Sequence, residues 1–394
     1  MSAADQCRRS ETRVLKFTDT VADVNGVCRF IQGTAETAHA TGRALTVFCS
    51  TRLVVPACSG IRNFTPVFAC PMPGYDTLDF AVPPILTMLR AGEEFGADVI
   101  HISTPGPVGL VGMALAKLTR TPVVGIYHTD FPAYIDELFG SSCMSWCARF
   151  GMRAFYKRFE TVLTRSADYA DRLERLGLEP TRIRLLRAGF DSTKFSPAYR
   201  DTGIWGGLGV PAEGVKVLFC GRVSTEKNLP VLTRYWGSIR DRVERAGGAV
   251  QLIVIGDGPY RETMERQLGG RGAYFLGFRH GEELAALYAS SNLFAFPSTT
   301  DTLGQVVMEA QASGLAVLAT DQGGPGEVIE DGVTGVVSSI DEPGRWVDVL
   351  VDLVLDSDRR ESMGRAGVEY MKGFGFGASF EDYWSVHECA RRDR

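Results

Sequence analysis

Residues 298–314 read Ser-Thr-Thr-Asp-Thr-Leu-Gly-Gln-Val-Val-Met-Glu-Ala-Gln-Ala-Ser-Gly, between two short apolar runs, Leu293–Phe296 and Ala316–Ala319. A strand, a polar turn, a helix and a second strand in that order make a β-α-β unit, the building block of a parallel sheet. Asp301 lies in the turn closed by Gly304, and Glu309 falls within the helical run that follows. Taken along a helix axis at 1.5 Å per residue, their spacing amounts to roughly 12 Å. That is too far for a shared proton or metal ion, but it suits gripping the two ends of an extended ligand. Between the two acids, the free N–H groups at the helix start offer an anion site. A sugar at one end, a diphosphate over the helix and a ribose at the other would match this spacing. An ordinary capped helix with a buried Glu matches it equally.

A second stretch narrows the choice. Val215–Val223 reads as a buried strand, and Ser-Thr-Glu-Lys-Asn follows it. Arg222 and Lys227 therefore leave the strand at its carboxyl end, where open α/β sheets bind ligands. A guanidinium fork and an ammonium point charge five residues apart can converge on one pyrophosphate. Together, Gly221-Arg222, Lys227-Asn228, and Asp301 separated by seven residues from Glu309 resemble the donor-binding half of family four retaining glycosyltransferases. The resemblance implies the GT-B architecture, an α/β fold of two Rossmann-like domains facing a central cleft. It also implies a last helix crossing back onto the first domain. Asp301 stands where many members carry Glu, and its Thr-Asp-Thr context resembles the bacterial lipid and polyol mannosyl- and glucosyltransferases. The shorter carboxylate bears on which sugar hydroxyl it reaches.

The resemblance assigns further roles. A strand through Val124-Gly125-Ile126-Tyr127 delivers His128, followed by Thr129 and Asp130, to its carboxyl end. His128 maps onto the family's active-site histidine, in contact with the transferred sugar and the acceptor on the face opposite Asp301. Asp130 either orients the acceptor or caps the next helix. Asn25 and Gly26, at the turn after the first strand, are expected to close over the donor diphosphate with Arg222, Lys227 and the N–H groups of Thr302, Leu303 and Gly304. A plain turn glycine is the other reading of Gly26. Glu309 is expected at the ribose. The Gly256-Asp257-Gly258-Pro259 turn is not a dinucleotide fingerprint, since position 261 is Arg. The family places it, like Leu276–His280, near the nucleotide, and Gly323–Glu327 beside the donor or as a structural loop. Backbone readout there would not separate uridine from guanosine. The implied reaction moves a hexose from a UDP- or GDP-sugar to a hydroxyl acceptor, a lipid or polyol, with no cofactor and no metal. A nucleotide-sugar sensor or scaffold and a sugar-nucleotide epimerase are the rival expectations on this fold.

The 394 residues suit two domains, with expected bounds 1–195 and 196–375 and a terminal helix at 376–394. The apolar share of 45% is enough for two buried sheets, and a net charge of −5 argues against wholesale nucleic-acid binding. Further strands are expected at Arg13–Thr18, Leu45–Ser50, Ala97–Ser103, Pro122–Tyr127, Thr161–Thr164, Val250–Ile255, Tyr274–Leu276 and Val333–Val337. Helices are expected at Val108–Leu118 and Asp168–Leu176, and a breaker-rich linker at Phe190–Gly209. Phe380, Tyr383, Trp384 and His387 share one face at helical spacing.

Nine cysteines show no pairing pattern, with Cys28, Cys49, Cys70 and Cys220 read as buried thiols. Cys143 and Cys147 do not form a zinc motif, and the expected compartment is the cytoplasm. The polar first dozen residues contain no secretory signal, and no apolar run is long enough to span a bilayer. Asp356-Ser-Asp358 reads as a helix terminus rather than a metal site. From Trp146 to Phe159, Arg149, Arg153 and Lys157 alternate with Phe150, Phe155, Tyr156 and Phe159. Such a helix either lies on an anionic membrane surface or forms a solvated basic edge of the first domain.

Overall fold

A computed structural model describes residues 12–22, 26–57, 60–72, 75–128 and 142–392. The chain divides into two compact units, residues 1–187 with 379–394, and residues 188–378. Residues 190–209 lie within the second unit, as turns and three short helices, two of them 3-10.

The first unit carries β1 Val14–Phe17, β2 Leu45–Cys49, β3 Ile61–Asn63, β4 Phe68–Met72, β5 Tyr75–Val82, β6 Val99–Ile102, β7 Val123–Ile126, β8 Thr161–Thr164 and β9 Ile183–Leu185. Seven of these form one parallel sheet in the order β3-β2-β1-β6-β7-β8-β9, while β4 and β5 pair as a separate antiparallel hairpin. Its helices are α1 Gly26–Ala40, α2 Ile85–Phe95, α3 Pro107–Thr119, α4 Ser142–Tyr156 and α5 Ala167–Arg175. The central strands β1, β6 and β7 are buried along their whole length, as strands covered on both faces must be.

The second unit repeats the plan with β10 Val215–Cys220, β11 Val250–Ile255, β12 Ala273–Gly277, β13 Leu293–Phe296, β14 Ala316–Thr320 and β15 Gly335–Ser338, all parallel, in the order β12-β11-β10-β13-β14-β15. Its main helices are α6 Leu229–Arg245, α7 Arg261–Leu268, α8 Gly281–Ser290, α9 Gln305–Ala312, α10 Pro343–Leu355 and α11 Ser357–Met371. The pattern in α6 is typical of why these segments are helical. Leu229, Leu232, Thr233, Trp236, Ile239 and Val243 form one buried stripe at three- and four-residue spacing, and Pro230 occupies the first turn, where its missing N–H has no partner to lose.

The last helix, α12 Phe376–Arg392, begins in the second unit, and from Ser379 onward belongs to the first. Phe380, Tyr383, Trp384 and His387 are its buried face. Arg43 grips Glu381 through two bonds of 2.8 and 2.7 Å and lies over the Phe380 and Trp384 rings. Both sheets with their flanking helices are Rossmann-like, so the expected α/β fold of two such domains is what the chain adopts.

Three expectations are corrected. Strands not expected from the sequence form at β3, in the β4–β5 hairpin and at β9, where only Ile183 is buried. The last expected strand begins at Gly335 rather than Val333, because Val333 and Thr334 turn back onto Glu330. Of the four thiols, Cys28, Cys49 and Cys220 are buried, but Cys70 is only half-buried. Asp356 is a helix cap, accepting from the Arg359 N–H at 2.9 Å.

Candidate functional site

In each sheet the strand order reverses at one place, and the loops leaving the two strands there bound a crevice at their carboxyl ends. In the second unit that place lies between β10 and β13. The loop after β10 carries Arg222 and Lys227, and the loop after β13 carries Asp301. They meet: Lys227 Nζ lies 2.8 Å from Asp301 Oδ2, and the Thr300 hydroxyl donates to the Glu226 carbonyl at 3.2 Å. The Ser298 hydroxyl also donates to Asp301 Oδ2, at 2.6 Å. Arg222 takes a different carboxylate, with its Nε 3.9 Å from Glu226 Oε1. Each expected phosphate-binding cation is thus balanced by an acid.

Glycine permits this crowding. Gly256 sits at φ +124°, and a Cβ on it would lie 1.9 Å from the Gly221 carbonyl oxygen. The Val223 N–H donates to the Asp257 carbonyl at 3.0 Å. The Gly256–Pro259 turn therefore packs on the turn that aims Arg222. On the other side, a Cβ on Gly324 would come within 2.2 Å of the Thr302 carbonyl oxygen, and the Gly324 N–H donates to the Asp301 carbonyl at 2.8 Å. Gly323–Glu327 is a brace for residues 301–304. Gly304, at φ +70°, caps α9, so Thr302, Leu303 and Gly304 form the approach to that helix start, with Leu303 buried. Glu309 is 1% exposed, with the Tyr288 hydroxyl 3.2 Å from its Oε2. It lies one helical turn into α9. The 12 Å helix spacing does not describe the pair, because α9 begins at Gln305 and Asp301 lies outside it.

In the first unit the reversal lies between β1 and β6. Asp19, after β1, accepts from the Thr104 hydroxyl at 2.6 Å and from the Val108 N–H at 2.8 Å, tying that turn to the start of α3. Gly26 is exposed at the first position of α1, whereas Asn25 lies outside the described residues, as do Thr129 and Asp130. His128 follows β7 and is 7% exposed. Its ring meets Phe30 edge-on at 5.5 Å, and its Nε2 has no hydrogen-bond partner among the described residues. Burial, then the positive charges of Arg165 and Lys16, hold it well below the ordinary histidine range, so the ring is neutral at neutral pH.

Residues that form no recognisable motif surround His128. Lys16 is fully buried in β1, donates to the Thr34 hydroxyl at 2.9 Å and lies over the Phe30 and Tyr383 rings. Burial lowers its pKa to about 7. Arg165 lies over Phe30 at 4.9 Å. His101 Nδ1 and His387 Nε2 are 2.9 Å apart, and both rings are pushed below the usual range by burial first, His387 to about 3. A lysine inside the apolar run Val-Leu-Lys-Phe was the available clue.

The helix α4 divides the aromatic residues of that stretch between two faces. Its helical period turns Met152 and Tyr156 inward, and Phe159 beyond its end is buried as well, leaving Trp146 and Phe150 exposed and stacked at 5.8 Å beside exposed Arg149. No group of three or more His, Cys, Asp or Glu among the described residues could hold a metal ion. No helix among them is long and apolar enough to cross a membrane.

Residues 24–194 match the family model for Glycosyltransferase Family 4, and residues 214–356 match that for Glycosyl transferases group 1. The chain is 32% identical to a GDP-mannose-dependent alpha-mannosyltransferase of Mycobacterium tuberculosis over 75% of its own length and 74% of that protein. It is also 32% identical to the sulfoquinovosyl transferase of Arabidopsis thaliana over 77% of its length, but spans only 58% of the plant enzyme. It is 28% identical to a D-inositol 3-phosphate glycosyltransferase of Corynebacterium jeikeium, over 93% and 92% of the two chains. Among solved structures it resembles sucrose-phosphate synthase from Thermosynechococcus elongatus (TM-score 0.76, 18% identity, 97% and 100% of the chains) and Anabaena HepE in complex with UDP and glucose (0.76, 18%, 96% and 100%). The chain belongs to glycosyltransferase family four, and its fold is GT-B.

Proposed function

We propose that the chain transfers a hexosyl group from a nucleoside diphosphate sugar to a hydroxyl of a lipid or polyol, with retention of anomeric configuration and without a metal ion. The observation that carries this reading is the Lys227–Asp301 contact across the β10/β13 crevice. It brings a cation suited to a departing diphosphate beside a carboxylate suited to a sugar hydroxyl. The relatives' names point the same way: GDP-mannose-dependent mannosyltransferases and inositol 3-phosphate glycosyltransferases in sequence, and a protein crystallised with UDP and glucose in fold.

Departure of the diphosphate leaves positive charge on the sugar and negative charge on the phosphate. Arg222, Lys227, Asn25, Gly26 and the N–H groups of Thr302, Leu303 and Gly304 would supply a preorganised positive field for the phosphate. Glu309 would take the ribose. Neutral His128 would hydrogen-bond the sugar and acceptor through Nε2. As the family resemblance implies, the leaving phosphate itself would accept the acceptor's proton. The test is release of GDP or UDP from GDP-mannose or UDP-glucose with inositol phosphates, simple polyols and diacylglycerol as acceptors, in excess EDTA. Full turnover in chelator is expected. Loss of turnover restored by Mn²⁺ would contradict the metal-free account.

For a lipid acceptor, the exposed Trp146–Phe150 pair beside Arg149 supports docking on an anionic membrane surface. Flotation with vesicles containing anionic lipid should recover the wild type and leave Trp146→Ser/Phe150→Ser in the unbound fraction. Equal recovery with neutral lipid would remove the membrane from the account.

A further inference from the structure

Among the described residues, no carboxylate is paired with Lys16. The groups of the described structure that act on it and on His128 are all basic or neutral: Thr34 from α1, His101 from β6, Arg165 after β8, and Tyr383 and His387 from α12. No described carboxylate is among them. One ring links them, because Lys16 Nζ lies 5.1 Å and Arg165 Cζ 4.9 Å from the centre of Phe30, whose edge-to-face partner is His128. A lysine so placed has an evident cost to the fold, and the reaction proposed above gives it no direct task.

We propose that Lys16 is a positioning residue for His128: with Arg165 it seats the Phe30 ring against the imidazole and surrounds that imidazole with positive charge, so that His128 meets the sugar only as a neutral hydrogen-bonding ring. This rests on the role given to His128 in the proposed reaction. The consequence is specific. An imidazolium at this place would repel the positive charge that develops on the sugar during transfer and would lose its accepting nitrogen. Lys16 therefore sets the acid limit of activity without touching substrate. Lys16→Met keeps an unbranched side chain of similar bulk and removes the charge together with the hydrogen bond to Thr34.

The experiment has two arms on the full chain. In the first, histidines carrying 13C at Cε1 are followed by NMR from pH 4.5 to 9, with the His128 signal assigned by its loss in His128→Gln. In the wild type that signal is expected to titrate well below the ordinary histidine range, and in Lys16→Met its midpoint is expected to rise by about one unit or more. In the second arm, the acid limb of kcat/KM for donor turnover is expected to move upward by the same amount. A purely structural Lys16 would lower kcat/KM evenly across pH and leave the His128 midpoint in place, and that result overturns the inference. Arg165→Met, which removes the second cation over Phe30, should shift the midpoint in the same direction, and its failure to do so counts against the inference equally. Wild-type activity in His128→Ala would instead overturn the role given to His128, and the NMR arm would still decide whether Lys16 governs its charge.

Discussion

Lys227→Met is expected to lower kcat/KM for the nucleotide-sugar by about two to three orders of magnitude, equivalent to roughly 3–4 kcal/mol of transition-state stabilisation. Two effects add. The first is loss of a cation aimed at the leaving diphosphate, where negative charge grows as the glycosidic bond breaks. The second is exposure of Asp301. Its carboxylate now shares the 2.8 Å contact with Lys227 and is otherwise held by the Ser298 hydroxyl. Without the lysine it becomes an unbalanced negative charge beside the phosphates. Steady-state kinetics should show both kcat and KM affected. In Lys227→Met/Asp301→Asn part of the activity should return, because the repulsion is removed while the missing cation is not. A loss below tenfold, or strictly additive effects in the double variant, would mean that the pair is a structural ion pair of this loop cluster.

Lys16→Met is expected to raise the stability of the fold by about 2–4 kcal/mol at pH 7. Few substitutions of a buried residue should stabilise. The sign follows from proton linkage. Lys16 titrates at about 7 in the folded chain against an ordinary value of 10.5. Between these values the unfolded chain binds the extra proton, so the stability of the wild type rises with pH across that window. The deficit is full below about pH 7 and disappears near 10.5. The unfolding midpoint of Lys16→Met should therefore exceed that of the wild type at pH 7, and the difference should shrink as pH approaches 10. The buried histidines add a second slope of the same sign at lower pH. His387, at about 3 in the fold, costs stability progressively as pH falls below the ordinary histidine value. A variant equal to or less stable than the wild type at pH 7 would show that the Thr34 bond and the two ring contacts of Lys16 outweigh its desolvation.

The parallel strands were legible because both of their faces are covered. Val-Lys-Val-Leu-Phe-Cys and Val-Gln-Leu-Ile-Val-Ile read as near-continuous apolar runs. The β4–β5 hairpin left no such run. It is interrupted by Pro71 and by Asp76 and Asp79, and Phe68 and Phe80 are exposed rather than packed. Edge strand β9 fails for the same reason. The proximity of Lys227 and Asp301 was half legible. Each was recognisable as leaving the carboxyl end of a strand, but the contact depends on β10 and β13 being neighbours, which sequence order does not state. The charge environment of His128 left a single clue, the lysine inside the apolar run Val-Leu-Lys-Phe. Its partners come from β1, α1, β6, the turn after β8 and α12, and a lysine within a strand run says nothing of whether its ammonium reaches solvent. Conversely, the aromatic spacing of α12 was readable because a single helix carries it.

The most direct test of the account is calorimetric titration of the wild type and Lys227→Met, in EDTA, with GDP, UDP, ADP and the matching monophosphates. The diphosphate site predicts that at least one nucleoside diphosphate binds the wild type tenfold or more tightly than its monophosphate, and that Lys227→Met abolishes the difference. Equal binding of mono- and diphosphates, or an unchanged preference in the variant, would contradict the placement of the leaving group at the β10/β13 crevice.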